Sequence, residues 1–351
     1  MHPNRNLTIL SVAFPLLPVT SGSGGGAEQI LSLVERGLVE AGYRSIVVAA
    51  KGSEIAGTLI ETPAATSEIT EDIRVDAQQK HAQAIEQALS VTKVDLIHFH
   101  GLDFCSYKPA DKVPKLATLH LPCQWYPASI FNNGGVQINC VSQTQANAAP
   151  RTGLPVIPNG IDTSRYWSST SARQYLLWLG RICPEKGVHI ALRVARRLNL
   201  PMVIAGPVHP FRDHEMYFDR EIRPLLDAER RYFGPVDLNT KVKLLSEAMC
   251  LLIPSLVAET SSLVAMEAIA SGTPVVAFRS GALPEIVEHG RTGYIVDSED
   301  EMAGAIAKIS ALSPEGSRLR ASERFDAKRM INDYIHLYAD VIGAFSSKHH
   351  G

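Results

Sequence analysis

The stretch YLLWLGRICPEKGVHIALRVARRLNLPMVIAG, residues 175–206, decides the fold. Tyr175–Leu179 is a run of five apolar residues closed by Gly180, the length of a buried strand. Val188–Leu198 then repeats apolar residues at three-to-four spacing, the signature of a helix with one buried face. Met202–Ala205 is a second short apolar run, again closed by glycine. Strand, helix and strand in this order make a βαβ unit, whose two strands lie parallel in one sheet.

The same rhythm extends in both directions. Upstream, strands are predicted at Leu7–Phe14, Ser45–Ala50, Val94–Phe99, Lys115–His120, Ile138–Ser142 and Val156–Pro158, with helices at Ala27–Ala41 and Lys80–Val91. Downstream, strands follow at Tyr232–Phe233, Leu251–Pro254, Val275–Phe278 and Tyr294–Val296. Helices fit Phe218–Leu226, Thr240–Met249, Ser262–Ser271, Leu283–Glu288 and Asp300–Ala311, and a last one-faced helix spans Arg324–Phe345. The alternation breaks at Pro158–Ala172, which is rich in Ser and Thr and contains Asn159-Gly160. That places a domain boundary there and gives two doubly wound α/β halves.

The 351 residues suit two domains, and 45% hydrophobic content suits a proper core. A net charge of -2 and the absence of Lys/Arg runs argue against nucleic-acid binding and leave at most a peripheral membrane contact. Five scattered cysteines without a Cys-x-x-Cys pair read as reduced thiols, which points to the cytoplasm. The apolar run near the N-terminus is broken by Pro15 and Pro18 and reads as a buried strand, not a signal peptide.

In open α/β sheets ligands bind beyond the carboxyl ends of the strands, so the informative residues follow strands. Four places qualify. Ser21–Glu28, SGSGGGAE, precedes a helix and offers close backbone approach and free amides, which suits an anion. It satisfies a dinucleotide spacing, but it lies far from Phe14, and Lys51 stands where an acidic residue should bind a ribose. Gly180–Gly187, GRICPEKG, puts two cations five positions apart at a strand–helix turn, where they can clamp a diphosphate. Pro254–Ala268 carries Glu259 before a helix start and Glu267 inside the helix, with serines suited to capping. His98, His100 and His120 close two strands. A histidine in such an apolar strand is more often a satisfied core residue, and no carboxylate stands at metal-ligand spacing.

Taken in order, the Gly-rich loop, DLIHFH (Asp95–His100), ATLH (Ala117–His120), PNGID (Pro158–Asp162), GRICPEKG, the Glu259/Glu267 pair and the segment Thr273–Val296 resemble the family 4 retaining glycosyltransferases of the GT-B fold. The resemblance covers nearly the whole chain. It implies an α/β fold of two Rossmann-like domains facing a cleft: residues 1–160, completed by 325–347 as the final helix crosses back, and residues 161–324, which bind the nucleotide sugar. It implies transfer of a hexose from a UDP- or GDP-sugar to a glycan, lipid-linked or small-molecule acceptor, without metal or other cofactor. Arg181 and Lys186 would neutralise the leaving diphosphate, and Glu259 would bind donor-sugar hydroxyls. Glu267 would bind the ribose. Amides of Ser262 and Leu263, with those of Gly25 and Gly26, would bind phosphate or position the sugar, and His120 would sit near the donor sugar. One departure stands out: Thr260-Ser261-Ser262 replaces the Gly-Phe-Gly common in similar proteins.

Other readings fit less well. A GT-B sugar-nucleotide epimerase needs further acid and base carboxylates that the sequence does not place. A nicotinamide-dependent oxidoreductase is disfavoured by Lys51. A non-catalytic sugar-nucleotide-binding protein would not require both the cation pair and the glutamate pair. The base, sugar, acceptor and oligomeric state are not encoded in any of these motifs.

Overall fold

The computed structural model describes residues 7–20, 22, 25–64, 70–110, 113–132, 135–169 and 173–349. Ser21, Ser23 and Gly24 of the Gly-rich loop lie outside the described residues. The chain divides into two units, residues 1–159 with 327–351, and residues 160–326.

The first unit runs β1 (Thr8–Val12), α1 (Gly26–Glu40), β2 (Arg44–Ala50), β3 (Thr58–Thr62), α2 (Glu71–Val91), β4 (Leu96–Phe99), β5 (Lys115–Leu119), β6 (Gln137–Cys140) and α3 (Gln143–Asn147). Its sheet has the order β3-β2-β1-β4-β5-β6, and all its pairs are parallel. Side chains alternate across the sheet. Leu10, Val12, Ile46 and Val48 join one core with Ile85 and Phe99, while Val47 and Ala49 join Leu31 and Val19 on the other face. Burial on both faces explains why these strands read as continuous apolar runs.

The second unit runs β7 (Tyr175–Leu179), α4 (Val188–Arg197), β8 (Met202–Ala205), α5 (Arg212–Tyr217), β9 (Arg230–Gly234), α6 (Leu238–Glu247), β10 (Ala248–Ile253), α7 (Leu263–Ala270), β11 (Val275–Phe278), α8 (Leu283–Ile286), β12 (Gly293–Val296), α9 (Glu299–Ile306) and α10 (Pro314–Arg324). Its order is β12-β11-β10-β7-β8-β9, again parallel. Tyr175, Leu177 and Leu179 face one core with Val203 and Leu251; Leu176 and Trp178 face the other with Ile204 and Leu252.

The last helix, α11 (Ala327–His349), belongs to the first unit. It lies close against α1: a Cβ on Gly37 would sit 2.3 Å from Ile331 Cδ1. Tyr334 and Tyr338 are fully buried and reach the sheet, where Tyr338 Oη meets His98 Nδ1 at 2.8 Å and Tyr334 Oη meets Thr118 Oγ1 at 3.1 Å.

Several elements differ from the sequence expectation. Val156–Pro158 is no strand; a single bridge joins Val156 to Cys140, and Pro155 and Pro158 on either side have no N–H to extend it. β3, α3 and α10 are additional. α2 starts nine residues before Lys80, because its first turns, EDIRVDAQQ, show little apolar periodicity. Helix forms at Arg212–Tyr217, widens into a π turn over 218–222 and tightens into a 3-10 turn over 223–225, in place of one helix at Phe218–Leu226.

Tyr338→Phe tests whether α11 is integral to the first unit. It leaves His98 Nδ1 buried without its partner, so unfolding free energy should fall by about 1–3 kcal/mol. Urea denaturation of variant and parent measures this; an unchanged midpoint would separate α11 from the core.

Candidate active site

In the second unit the chain leaves β7 toward β8 and β9 on one side, and leaves β10 toward β11 and β12 on the other. The order therefore reverses between the adjacent strands β7 and β10, and the loops leaving them must part. That topological switch point is where open α/β sheets bind ligands. The loop after β7 holds Arg181 and Lys186; the loop after β10 holds Glu259.

The two loops are tied closely. Leu256 N donates to Glu185 O at 2.8 Å, and Gly187 packs against the Pro254 carbonyl. Gly187 has φ +66°, and a Cβ there would fall 2.1 Å from Pro254 O, so only glycine fits on both counts. Lys186 Nζ then donates to both oxygens of Glu259, at 2.6 and 2.8 Å, and Ser255 Oγ donates to Glu259 Oε1 at 2.7 Å. The Lys186 and Glu259 side chains are 26% and 12% exposed, so this ion pair is only partly screened. Arg181 is exposed and makes no ion pair among the described residues. The expected clamp is thus half engaged with the protein itself.

α7 follows. Ser262 caps it, its Oγ accepting from Ala265 N at 3.4 Å. The amides of Ser262 and Leu263 have no acceptor among the described residues, which leaves donors and the positive end of the helix available to an anion. Ser261 Oγ is buried and has no hydrogen-bond partner. Glu267 is 2% exposed. Its Oε1 accepts from Tyr166 Oη at 2.8 Å and from Lys241 Nζ at 2.5 Å, while Oε2 is buried and has no partner among the described residues. Burial, and then the charge of Glu267, push the Tyr166 phenol far up, so it stays a neutral donor. A carboxylate held on one oxygen and unfilled on the other is an acceptor for ligand hydroxyls. Tyr166 and Lys241 were not legible in the sequence, since they lie 101 and 26 positions from Glu267 with no shared motif.

The first unit carries the other predicted residues. Gly25 is the N-cap of α1, and Gly26 is its first residue. Glu28, 6% exposed, folds its carboxylate over that start: a Cβ on Gly25 would lie 1.9 Å from Glu28 Oε2. A second anion there meets a like charge, so this helix start differs from that of α7. His120 follows β5 and is half-buried; its Nε2 lies 3.0 Å from His100 Nδ1, with the rings stacked at 5.2 Å. His98 lies deeper, between Tyr338 Oη and Thr118 Oγ1, both at 2.8 Å. Burial holds His120 down at about 4. Burial and then the neighbouring His120 bring His98 to about 3, and burial with both neighbours keeps His100 well below the usual imidazole range. At neutral pH all three are uncharged.

Comparison with known proteins adds independent findings. The family described as "Glycosyl transferases group 1" matches residues 173–312, and that described as "Glycosyltransferase Family 4" matches residues 24–165. A D-inositol 3-phosphate glycosyltransferase of Corynebacterium efficiens is 32% identical over 154 residues, 42% of this chain and 36% of that protein. A glycogen synthase of Mycobacterium tuberculosis is 30% identical over 191 residues, 52% of this chain and 45% of that protein. The matches thus span less than half the length of these curated relatives. Among solved structures, a sucrose-phosphate synthase of Thermosynechococcus elongatus superposes with a TM-score of 0.82 at 18% identity, covering 96% of this chain and all of the other. An Anabaena protein solved with UDP and glucose gives 0.73 at 19%, covering 94% and 99%. These likenesses show the fold.

The buried histidines set a pH dependence. Their folded values lie below the unfolded value near 6.5, so the unfolded chain binds protons first as pH falls. Stability is full above about pH 6.5 and is lost as pH falls from there toward about 4. The melting temperature should be lower at pH 5 than at pH 7.5. His120→Asn should remove roughly 1–2 kcal/mol of that loss. An identical pH dependence in the variant would show that His120 is not held neutral by the fold.

Proposed function

The chain belongs to the family 4 glycosyltransferases of the GT-B fold, and on that premise we propose that it is a retaining hexosyltransferase. Its donor is a UDP- or GDP-sugar, and its acceptor is a glycan, lipid-linked or small-molecule hydroxyl. The observation that carries this reading is the Lys186–Glu259 pair across the switch point, beside the unfilled start of α7. A sugar diphosphate has the groups that would divide that pair: phosphate oxygens for the ammonium and sugar hydroxyls for the carboxylate.

In the proposed reaction the bond from the sugar C1 to the phosphate oxygen breaks while an acceptor oxygen bonds C1 from the same face. The acceptor proton passes to the leaving phosphate. Negative charge grows on the diphosphate, where Lys186, Arg181 and the amides of Ser262 and Leu263 stabilise it. Glu267 Oε2 takes the ribose hydroxyls, held in place by Tyr166 and Lys241. Glu259 takes sugar hydroxyls. Gly25 and Gly26 position the sugar and not the phosphate, since Glu28 already supplies a carboxylate at that helix start. His120, neutral at physiological pH, serves as a hydrogen-bond partner and not as a charge. UDP-glucose is the first donor to test, because the Anabaena neighbour was solved with UDP and glucose.

Lys186→Ala is the deciding variant. Charge on the leaving group develops toward the transition state, so the loss should fall on kcat more than on KM. The expected decrease is roughly 10²–10³-fold, toward the lower end if Arg181 compensates. Steady-state kinetics of both proteins on one donor and acceptor, beside their melting temperatures, decide it; unchanged kcat removes Lys186 from the chemistry.

The positive charge in this proposal comes from side chains and amides, so turnover should need neither Mg²⁺ nor Mn²⁺. Loss of activity on chelation, restored by Mg²⁺ or Mn²⁺, would transfer the leaving-group role to a metal.

A further inference from the structure

The loop Gly180–Gly187 also holds two groups that the transfer reaction does not use. Cys183 is completely buried, and Glu185 is half-buried. His214, on α5, stands beside them. The Cys183 sulfur, a Glu185 carboxylate oxygen and a His214 ring nitrogen all lie within 4.8 Å of one another. His214 Nδ1 is buried and has no hydrogen-bond partner among the described residues, while the Cys183 thiol hydrogen-bonds the Glu185 carboxylate and makes a long contact of 3.5 Å to Arg181 O. Three ligand-bearing groups from two separate elements thus converge on one point, with one nitrogen there unused.

We propose that Cys183, Glu185 and His214 form a zinc-type divalent-cation site that braces the loop carrying Arg181 and Lys186. One thiolate, one imidazole and one carboxylate make a borderline-soft donor set suited to Zn²⁺ and unsuited to Mg²⁺ or Ca²⁺. Three protein ligands leave the fourth tetrahedral position to water. Zinc bonds of about 2.0–2.3 Å set tetrahedral ligands roughly 3.3–3.8 Å apart, so the three atoms close by about 1.5 Å at most, within reach of side-chain rotation. Binding exchanges the thiol proton, released to solvent, for a metal–sulfur bond. Cys183 lies two residues after Arg181, and Glu185 directly precedes Lys186. A metal bound to both therefore fixes the backbone between the two cations without touching the groups assigned to the donor. Cys183 and Glu185 lie 31 and 29 residues before His214, which is why no motif spacing announces the site.

The test uses the full chain with Cys105→Ser, which removes the exposed thiol. After stripping with EDTA, the protein is titrated with Zn²⁺ against a chromophoric chelator, and separately with Co²⁺. The expected result is one bound equivalent and a thiolate-to-cobalt charge-transfer band. Cys183→Ser should abolish the band, and His214→Ala should weaken Zn²⁺ binding at least tenfold. His214 is half-buried at the edge of its helix, so this second variant keeps the test valid if Cys183→Ser fails to fold; melting curves show which variants are folded. Binding equal to the parent in a folded His214→Ala variant, no bound zinc, or bound cobalt without the thiolate band overturns the proposal. None of these readouts depends on sugar transfer, so a failure of the proposed reaction leaves this test intact.

Discussion

A parallel sheet whose strand order reverses at its centre is the constraint on which the second unit depends. Parallel pairing sends every strand end to one edge of the sheet, and the reversal between β7 and β10 parts the loops that follow them. Residues far apart in sequence become neighbours there. Gly187 permits the two loops to touch, because its missing Cβ is what the Pro254 carbonyl needs. Lys186 and Glu259, 73 positions apart, then meet across the gap.

An ion pair at this exposure is not chiefly a stabilising device. Partial desolvation offsets much of its attraction, and its geometry must be held by long side chains. Its value lies elsewhere. Each partner holds the other fixed and partly dry, so little reorganisation is needed when a ligand takes its place. Glu267 shows the same economy: two protein donors crowd one oxygen and leave the other unfilled in a buried position. A partnerless buried carboxylate oxygen costs free energy in the absence of ligand and returns it on binding.

What the sequence revealed follows from locality. Strands such as Leu176–Leu179 and Met202–Ala205 are buried on both faces, so their apolar runs are unbroken and legible. β3 lies at a sheet edge with only one buried residue, and α10 buries only Ser317 and Ala321; neither carries a strong periodic signal. Arg181, Lys186 and Glu259 stand out in the sequence because each follows a strand end, and Glu267 because it pairs with Glu259 in the following helix. Tyr166 and Lys241 support Glu267 through tertiary contacts alone, and nothing local marks them. The Glu28 carboxylate at the start of α1 was present in the sequence as a first-turn acid, yet the glycines beside it suggested an anion site.

That contrast between the two helix starts bears on how charge is arranged. Each start presents amides, and by helix polarity alone each should attract phosphate. At α1 the protein supplies its own negative charge, so a phosphate there gains the helix field but meets a carboxylate at close range. At α7 the cap is a neutral serine hydroxyl, and the next buried hydroxyl, Ser261 Oγ, is itself without a partner. An anion at α7 therefore meets donors and a neutral cap at the helix start. The two helix starts thus differ in the charge they present, through the single side chain of Glu28.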